Sequence, residues 1–154
     1  MTLAENFDAR WVTFDEMDKR DVYELLRLRQ NIFILEQASF YADIDGKDPE
    51  LLHYLVKDSD TGALVGAIRL SSDVELVEAR IGRVVVASEG RGAGLGRKMM
   101  QAGVTKARVL VPACKIHVSA QAHLEAFYQS LGFQTVSDEY DEDGIAHVDM
   151  VHLP

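Results

Sequence analysis

Residues 81–96 read IGRVVVASEGRGAGLG, an apolar and β-branched run followed by a glycine-rich turn. Beyond the turn, small and apolar side chains recur with the spacing of one helix face, at Leu95, Met99, Gly103 and Ala107. The stretch therefore predicts a strand, a tight turn and a helix in succession. Glycines let backbone N–H groups approach an anion closely, and a helix N-terminus adds about half a positive charge. We interpret the turn as a pyrophosphate site.

Charge is distributed unevenly around this turn. The chain has 16 Lys and Arg against 25 Asp and Glu, a net charge of −9, yet residues 90–124 contain six basic residues and no acidic one. An electropositive segment in an acidic chain favours a phosphate ligand at that segment. The overall charge argues against a nucleic acid partner, because such binding depends on neutralising phosphates, and it favours a cationic substrate.

The glycine spacing separates this turn from other phosphate motifs. A dinucleotide fold uses G-x-G-x-x-G and an acidic residue about 20 positions later, whereas this turn is G-x-G-x-G and precedes an acid-free window. A P-loop needs Gly-Lys-Ser or Gly-Lys-Thr at its end, which neither Gly90 nor Gly92 provides. The remaining pattern, [QR]-x-x-G-x-[GA] at Arg91, Gly94 and Gly96, resembles the pyrophosphate signature of the GNAT acyl-CoA-dependent N-acetyltransferases.

A second motif of that family follows downstream. Residues 115–121, KIHVSAQ, alternate as a strand does, and residues 122–132, AHLEAFYQSLG, predict a helix closed by Gly132. Phe127-Tyr128 together with Gly132-Phe133 resembles the GNAT signature for the helix after the fifth strand. Two separate motifs in the right order strengthen the resemblance.

Two further stretches resemble the ElaA-like subgroup of the same family. One is residues 140–147, YDEDGIAH. The other is spread over upstream residues, namely Leu28, Arg29, Gln30, Phe33, Glu36, Gln37, Tyr41, Asp43, Asp45, Gly46 and His53. The resemblance therefore covers nearly the whole chain.

The resemblance implies an α/β fold with a central mixed sheet, helices on both faces, and splayed fourth and fifth strands. In that fold the main chain of the fourth strand, here Val84, Val85 and Val86, pairs with the pantetheine amides of acetyl-CoA as an added strand would. The implied reaction transfers the acetyl group to a primary amine of a small molecule or peptide by direct attack. The predicted pyrophosphate-binding residues are Arg91, Gly92, Ala93, Gly94, Leu95, Gly96 and Arg97.

The resemblance also implies that Tyr128 is the general acid for the departing thiolate; the alternative is an aromatic side chain that only packs beside Phe127. The general base stays open. Some GNAT enzymes carry a glutamate on the fourth strand, where this chain has Arg80. The nearest fifth-strand candidate is His117, since an imidazole with an ordinary pKa near 6.5 suits a base at neutral pH. Its rivals are Glu36, His53, His123 and ordered water.

The acceptor amine is predicted to bind beside an early acidic loop. Asp43, Asp45 and Asp48 either attract a cation there or belong to a solvated turn. The loop does not match a calcium site, because Lys47 and Tyr54 fall at its fifth and twelfth positions. The predicted acceptor-binding residues are Gln37, Asp43, Asp45 and His53.

No metal is predicted. The run His147-x-Asp149-x-x-His152 is interpreted as strand alternation. The 154-residue length favours one domain over 1–154, and the absence of a long apolar run or signal peptide predicts a cytoplasmic protein without a membrane partner. The single cysteine, Cys114, fits a reducing compartment. The oligomeric state, including a homodimer, is left open.

Two alternative functions stay open. Arg29, Phe33, Glu36 and Gln37 also resemble acyl-homoserine-lactone synthases, which share the fold but use acyl-carrier protein and S-adenosylmethionine. The other alternative is a non-catalytic acyl-CoA-binding regulatory module. The predicted elements are strands at 10–14, 52–57, 63–71, 81–86, 115–120, 133–140 and 145–152, a helix capped by Asp18 or Asp21, and helices at 95–109 and 122–132.

Overall fold

The computed structural model describes residues 6–154 of the chain. Its strands are β1 (Phe7–Thr13), β2 (Leu52–Asp58), β3 (Leu64–Asp73), β4 (Glu78–Val86), β5 (Lys115–Gln121), β6 (Phe133–Thr135), β7 (Tyr140–Glu142) and β8 (Ile145–His152). They form one sheet in the order β1-β2-β3-β4-β5-β8-β6, with β7 also paired to β8. β4 and β5 are parallel and the other pairs are antiparallel, so the predicted mixed sheet is confirmed.

Helices cover both faces of this sheet, as predicted. They are α1 (Lys19–Arg29), α2 (Leu95–Leu110) and α3 (Glu125–Gln129). In α2, Gly103 permits close packing, because a Cβ there would lie 2.7 Å from the Cδ1 atom of Ile81 and 3.0 Å from that of Ile68. α1 lies on the opposite face, where its Arg29 reaches the same carboxylate as Arg69 of β3.

α1 begins at an N-cap formed by Asp18, whose Oδ1 accepts a 2.7 Å hydrogen bond from the Asp21 amide. The helix then continues as a π-helical segment, Gln30–Glu36, which the sequence did not predict. Such wide turns occur often at functional sites. This one connects α1 to the loop that begins at Gln37.

β4 and β5 separate soon after they pair. Their parallel pairing extends only from Glu78 and Lys115 to Arg80 and His117. A register shift between β3 and β4 accommodates Arg83, whose φ of 49° is left-handed. Among the described residues, no strand pairs with the β5-facing edge of β4 beyond Arg80. The predicted splayed strands are therefore present.

Two predicted elements were wrong in extent. The helix expected over 122–132 is a 3₁₀ turn, Ala122–Leu124, followed by the five-residue α3. The strand expected over 133–140 is divided into β6 and β7. Between them the side chain of Ser137 replaces a main-chain partner, since its Oγ accepts a 2.8 Å hydrogen bond from the Asp149 amide.

Candidate active site

A cleft of about 550 Å³ opens where β4 and β5 diverge. Strand residues such as Val84 and Gln121 line it, together with Tyr128 of α3. The loop after the π-helical segment and the β7–β8 hairpin close its other side. The cleft therefore joins the unpaired edge of β4 to a polar chamber on the α1 face of the sheet.

The glycine turn lies at one end of the divergent strands and leads into α2. Gly92 and Gly94 have φ values of 85° and 71°, a conformation that favours glycine. A Cβ at either position would meet no protein atom within 4 Å, so the space over the turn is free for a ligand. Gly94 precedes α2 without a side-chain cap, which leaves the first amides of the helix available to an anion.

The side chain of Arg91 bridges this turn to the end of the π-helical segment. Its two terminal nitrogens donate to both carboxylate oxygens of Glu36, at 3.0 and 2.5 Å. The hydrogen bond from Arg91 lowers the pKa of Glu36, which makes this carboxylate a weak base. Glu36 does not line the cleft, so the structure associates it with the turn. Nearby, Arg97 donates to Ser130 Oγ at 2.6 Å.

The predicted pantetheine strand, Val84–Val86, reaches the cleft at Val84. Val85 is buried in the core, while Val84 and Val86 are partly exposed. On one edge, Val85 and Val86 pair with Ala67 and Gly66 of β3. Their other edge faces the gap beside β5 and is the edge to which an extended ligand can add.

Tyr128 lines the cleft from α3. Its ring packs edge-on against Phe127 and Phe133, with centroids 5.2 and 5.9 Å away. Burial raises the pKa of Tyr128 to about 12, so the phenol stays protonated at neutral pH. Tyr128 is therefore a packed aromatic that also lines the cleft, and its role as general acid stays a prediction.

The loop that follows the π-helical segment is held by a buried cluster of charges. Arg29 Nε donates to Asp43 Oδ2 at 2.8 Å, and its Nη1 donates to Asp48 Oδ1 at 2.9 Å. Burial alone would lower the pKa of Arg29, but the hydrogen bond with Asp48 and the charge of Asp43 hold it above its ordinary value. The guanidinium is therefore fixed in its charged form.

Two further arginines connect the cluster to the sheet. Arg69 of β3 donates to Asp48 Oδ1 at 2.9 Å and to both oxygens of Asp45. Arg83 of β4 lies 2.8 Å from Asp43 and 3.3 Å from Asp45, and its guanidinium stacks over the Tyr41 ring. Asp45 lines the cleft, whereas Asp43 lies behind it. Because arginines pair with both carboxylates, the loop presents less free negative charge than its sequence suggests.

The remaining predicted residues are distributed differently. Gln37 lines the cleft and accepts a 3.0 Å hydrogen bond from Gln121. His53 is buried outside the cleft with Nε2 2.9 Å from the Asp48 carbonyl oxygen, and burial lowers its pKa. His117 is also absent from the cleft wall, and its Nε2 lies 3.6 Å from Glu78. His123 is exposed on the 3₁₀ turn.

Several cleft residues were missed as functional candidates, among them Arg80 of β4, Ser119 of β5 and His147 of β8. His147 lies directly opposite Gln121 in the β5–β8 ladder, so both side chains leave the same face of the sheet. The alternation of His147 and Asp149 along the strand was visible in the sequence, but the cleft to which this face turns was not.

None of the helices within residues 6–154 has the length and apolar character to span a bilayer. Over the same described range, no group of three or more His, Cys, Asp and Glu side chains is arranged to hold a metal ion.

The mixed sheet has splayed central strands with a cleft between them, and a glycine turn precedes a helix. Together these features define the fold class of the acyl-CoA N-acyltransferases. The family described as "Acetyltransferase (GNAT) domain" matches residues 27–153. Escherichia coli ElaA is 38% identical over 137 residues, which are 88% of this chain and 89% of ElaA. The chain belongs to the GNAT acetyltransferase family and to its ElaA-like subgroup, as its sequence predicted.

Solved structures agree with this assignment. The crystal structure of Escherichia coli ElaA superposes with a TM-score of 0.86 at 34% identity, covering 95% of this chain and 99% of that one. An acyl-CoA N-acyltransferase from Pseudomonas aeruginosa gives a TM-score of 0.87, with the same identity and coverage.

Two more distant structures share the fold alone. The acyl-homoserine-lactone synthase LasI has a TM-score of 0.78 at 14% identity, covering 96% of this chain and 90% of LasI. An N-acetylglutamate synthase from Neisseria gonorrhoeae, complexed with coenzyme A and N-acetylglutamate, has a TM-score of 0.69 at 17% identity. It covers 95% of this chain and 35% of that one.

Proposed function

We propose that this protein transfers an acetyl group from acetyl-CoA to a primary amine of a small molecule or peptide. The observation that carries the proposal is the continuity of one cleft past the unpaired edge of β4, the hydroxyl of Tyr128 and a polar chamber beyond. Family membership supports acyl transfer, and the open glycine turn supports CoA as the carrier. We propose that the chain acts as one domain.

The donor would be held through main-chain groups. The amides around Gly94 and at the start of α2 would receive the pyrophosphate, with Arg91 adding a charge-assisted contact. The free edge of Val84–Val86 would pair with the pantetheine amides. This arrangement would point the thioester into the gap that Tyr128 lines.

Tyr128 is the proposed acid. Proton transfer from a phenol with a pKa of about 12 to a thiolate, whose thiol has an ordinary pKa of about 8.5, is unfavourable. Its contribution is therefore a hydrogen bond to the sulfur that strengthens as the C–S bond breaks, followed by proton transfer. The bases predicted from the sequence have less support: His117 lies outside the cleft wall, and Glu36 is paired with Arg91.

Two measurements test this function. Calorimetry should detect CoA binding by the parent, and a screen of amines with acetyl-CoA should identify an acetylated acceptor. Tyr128→Phe keeps the ring and its packing, so CoA affinity and folding should persist while turnover falls about 100- to 10,000-fold. Tyr23→Phe, at an exposed position on α1, is the matched control and should retain full turnover. Full turnover in Tyr128→Phe would leave Tyr128 as a core aromatic.

The alternatives predict different results. An acyl-homoserine-lactone synthase would react with acyl-carrier protein and S-adenosylmethionine, and acetyl-CoA with a simple amine would give no product. A non-catalytic module would bind CoA and acetylate no amine at any pH. A cytoplasmic location stays a prediction, and the oligomeric state, including a homodimer, stays open.

A further inference from the structure

His147 occupies the polar end of the cleft with a fixed ring orientation. Only 8% of the residue is exposed, and it lies on the cleft wall. Its ring stacks on Tyr140, with centroids 6.1 Å apart and planes 26° apart. Tyr140 is held in turn by a 2.6 Å hydrogen bond from its hydroxyl to Asp149 Oδ1. The imidazole is therefore held by the β7–β8 hairpin as well as by its own strand.

The contacts of its two ring nitrogens decide the tautomer. Nδ1 lies 2.7 Å from the carbonyl oxygen of Ile145, which can only accept a hydrogen bond. Nδ1 therefore carries the proton of the neutral ring, and Nε2 carries the lone pair. Nε2 lies 3.4 Å from Glu142 Oε2. A carboxylate at this distance can accept a hydrogen bond from a proton that Nε2 takes up, so the geometry suits Nε2 as a base.

We propose that His147, backed by Glu142, is the general base that removes a proton from the acceptor ammonium; this inference rests on the proposed acetyl transfer. Nε2 takes one proton of the ammonium, and the freed nitrogen lone pair forms the C–N bond as the C–S bond of the thioester breaks. Tyr128 donates its proton to the thiolate. The second proton lost by the acceptor nitrogen then reprotonates Tyr128. The imidazolium returns its proton to water along Glu142, whose side chain is 49% exposed.

Several other charged and titratable groups lie near the His147 ring or line the same cleft. Glu142 is the only group within ion-pair distance of His147 among residues 6–154. Asp143 lies at the tip of its hairpin, and Tyr140 and Asp149 are bonded to each other. The remaining titratable or charged residues that line the cleft are Tyr41, Asp45, Lys47, Arg69, Arg80, Arg83 and Tyr128. Of these, Arg69, Arg83 and Asp45 are already paired, which leaves Glu142 as the carboxylate that serves the ring.

The decisive experiment compares two histidines on the same face of the sheet. His147→Gln should lower kcat/KM about 100-fold or more and flatten the rise of kcat/KM with pH that general-base catalysis by a histidine produces. His117→Gln, the matched control outside the cleft, should keep both the rate and the pH profile. Glu142→Gln should lower kcat/KM by a smaller factor, because the proton taken up by Nε2 loses the carboxylate that accepts its hydrogen bond. CoA affinity, measured by calorimetry, should stay unchanged in all three variants.

A second acceptor separates base catalysis from a structural role. An aromatic amine is already neutral at pH 7, so His147→Gln should lose much less rate with it than with an alkyl amine. An equal loss for both acceptors, or a parent-like pH profile in His147→Gln, would overturn the assignment. Should His147→Gln misfold, the exposed Glu142→Gln variant carries the test, and an unchanged kcat/KM there would overturn the assignment as well.

A spectroscopic readout is independent of turnover. Long-range ¹H–¹⁵N spectra of the parent, with His147→Gln used for assignment, should show the Nδ1–H tautomer for the neutral ring of His147. An Nε2–H tautomer would overturn the proposal. Absence of any acetylated amine would instead count against the proposed function.

Discussion

The two halves of the proposed site are built in opposite ways. On the proposed donor side, the glycine turn has open space over it, and the side chains of the Arg91–Glu36 ion pair are 45% and 46% exposed. On the acceptor side, Arg29 is 1% exposed and is surrounded by carboxylates that two further arginines share. The proposed donor half is a backbone turn with open space over it. The proposed acceptor half is a network of ion pairs between buried side chains of the protein.

The two halves differ in how much their ion pairs contribute to folding stability. An exposed pair is screened by water and contributes little to folding, so Arg91 is free to exchange Glu36 for a phosphate. A buried charge that loses its partner cannot be rescued by solvent, so the acceptor loop depends on every member of its network. Substitutions in the two halves should therefore affect different quantities.

The largest expected effect is on folding. Arg29→Ala should lower the free energy of unfolding by about 3 to 5 kcal/mol, because Asp43 and Asp48 lose a buried partner. Chemical denaturation measures the change. Arg91→Ala is the control from the other half and should unfold like the parent. A parent-like stability of Arg29→Ala would mean that the cluster is solvated and the contrast between the halves is false.

The next effect is on CoA. Arg91→Ala should weaken CoA binding about 10- to 150-fold, because a charge-assisted contact with the pyrophosphate is lost. Calorimetry reports the affinity, and Arg97→Ala tests whether the neighbouring cation, already engaged with Ser130, contributes as much. Unchanged affinity in Arg91→Ala would leave binding to the backbone amides alone.

A third test measures the free energy of unfolding at acid pH. The hydrogen bond from Arg69 lowers the pKa of Asp45, so below about pH 4, where carboxyls titrate in the unfolded chain, the unfolded state binds more protons. The stability from this pair is fully present above that pH and is lost as the pH falls through the lower folded-state pKa. Asp45→Asn should flatten the fall in unfolding free energy between pH 4 and pH 2. Glu36→Gln should not, because its pair is exposed and screened.

The smallest expected effect is a gain. Glu36→Gln releases Arg91 from its carboxylate, so CoA affinity should rise about two- to fivefold at low salt. The gain should disappear in the Arg91→Ala background, which has no charge to release. Weaker binding in Glu36→Gln would show that the carboxylate orients Arg91 for the ligand.

What could be predicted from the sequence was local. The strand, turn and helix of residues 81–110, the N-cap at Asp18 and the β3–β4–α2–β5 order all follow from spacing and turn chemistry among neighbours in the chain. The proposed donor half of the site follows with them, because a run of glycines before a helical pattern is visible in the sequence. The motif that makes Tyr128 the proposed acid is seven residues long.

The proposed acceptor half depends on contacts between residues that are distant in the sequence. Arg29 meets Asp43 and Asp48 across 14 and 19 residues, and Arg83 meets Asp43 across 40, through a left-handed bulge that no local pattern predicts. The same holds for the histidines. His117 and His147 both alternate along a strand, but the strands diverge only beyond the level of His117, so only His147 faces the cleft. Local propensity sets which way a side chain alternates, and the packing of distant elements sets what it faces.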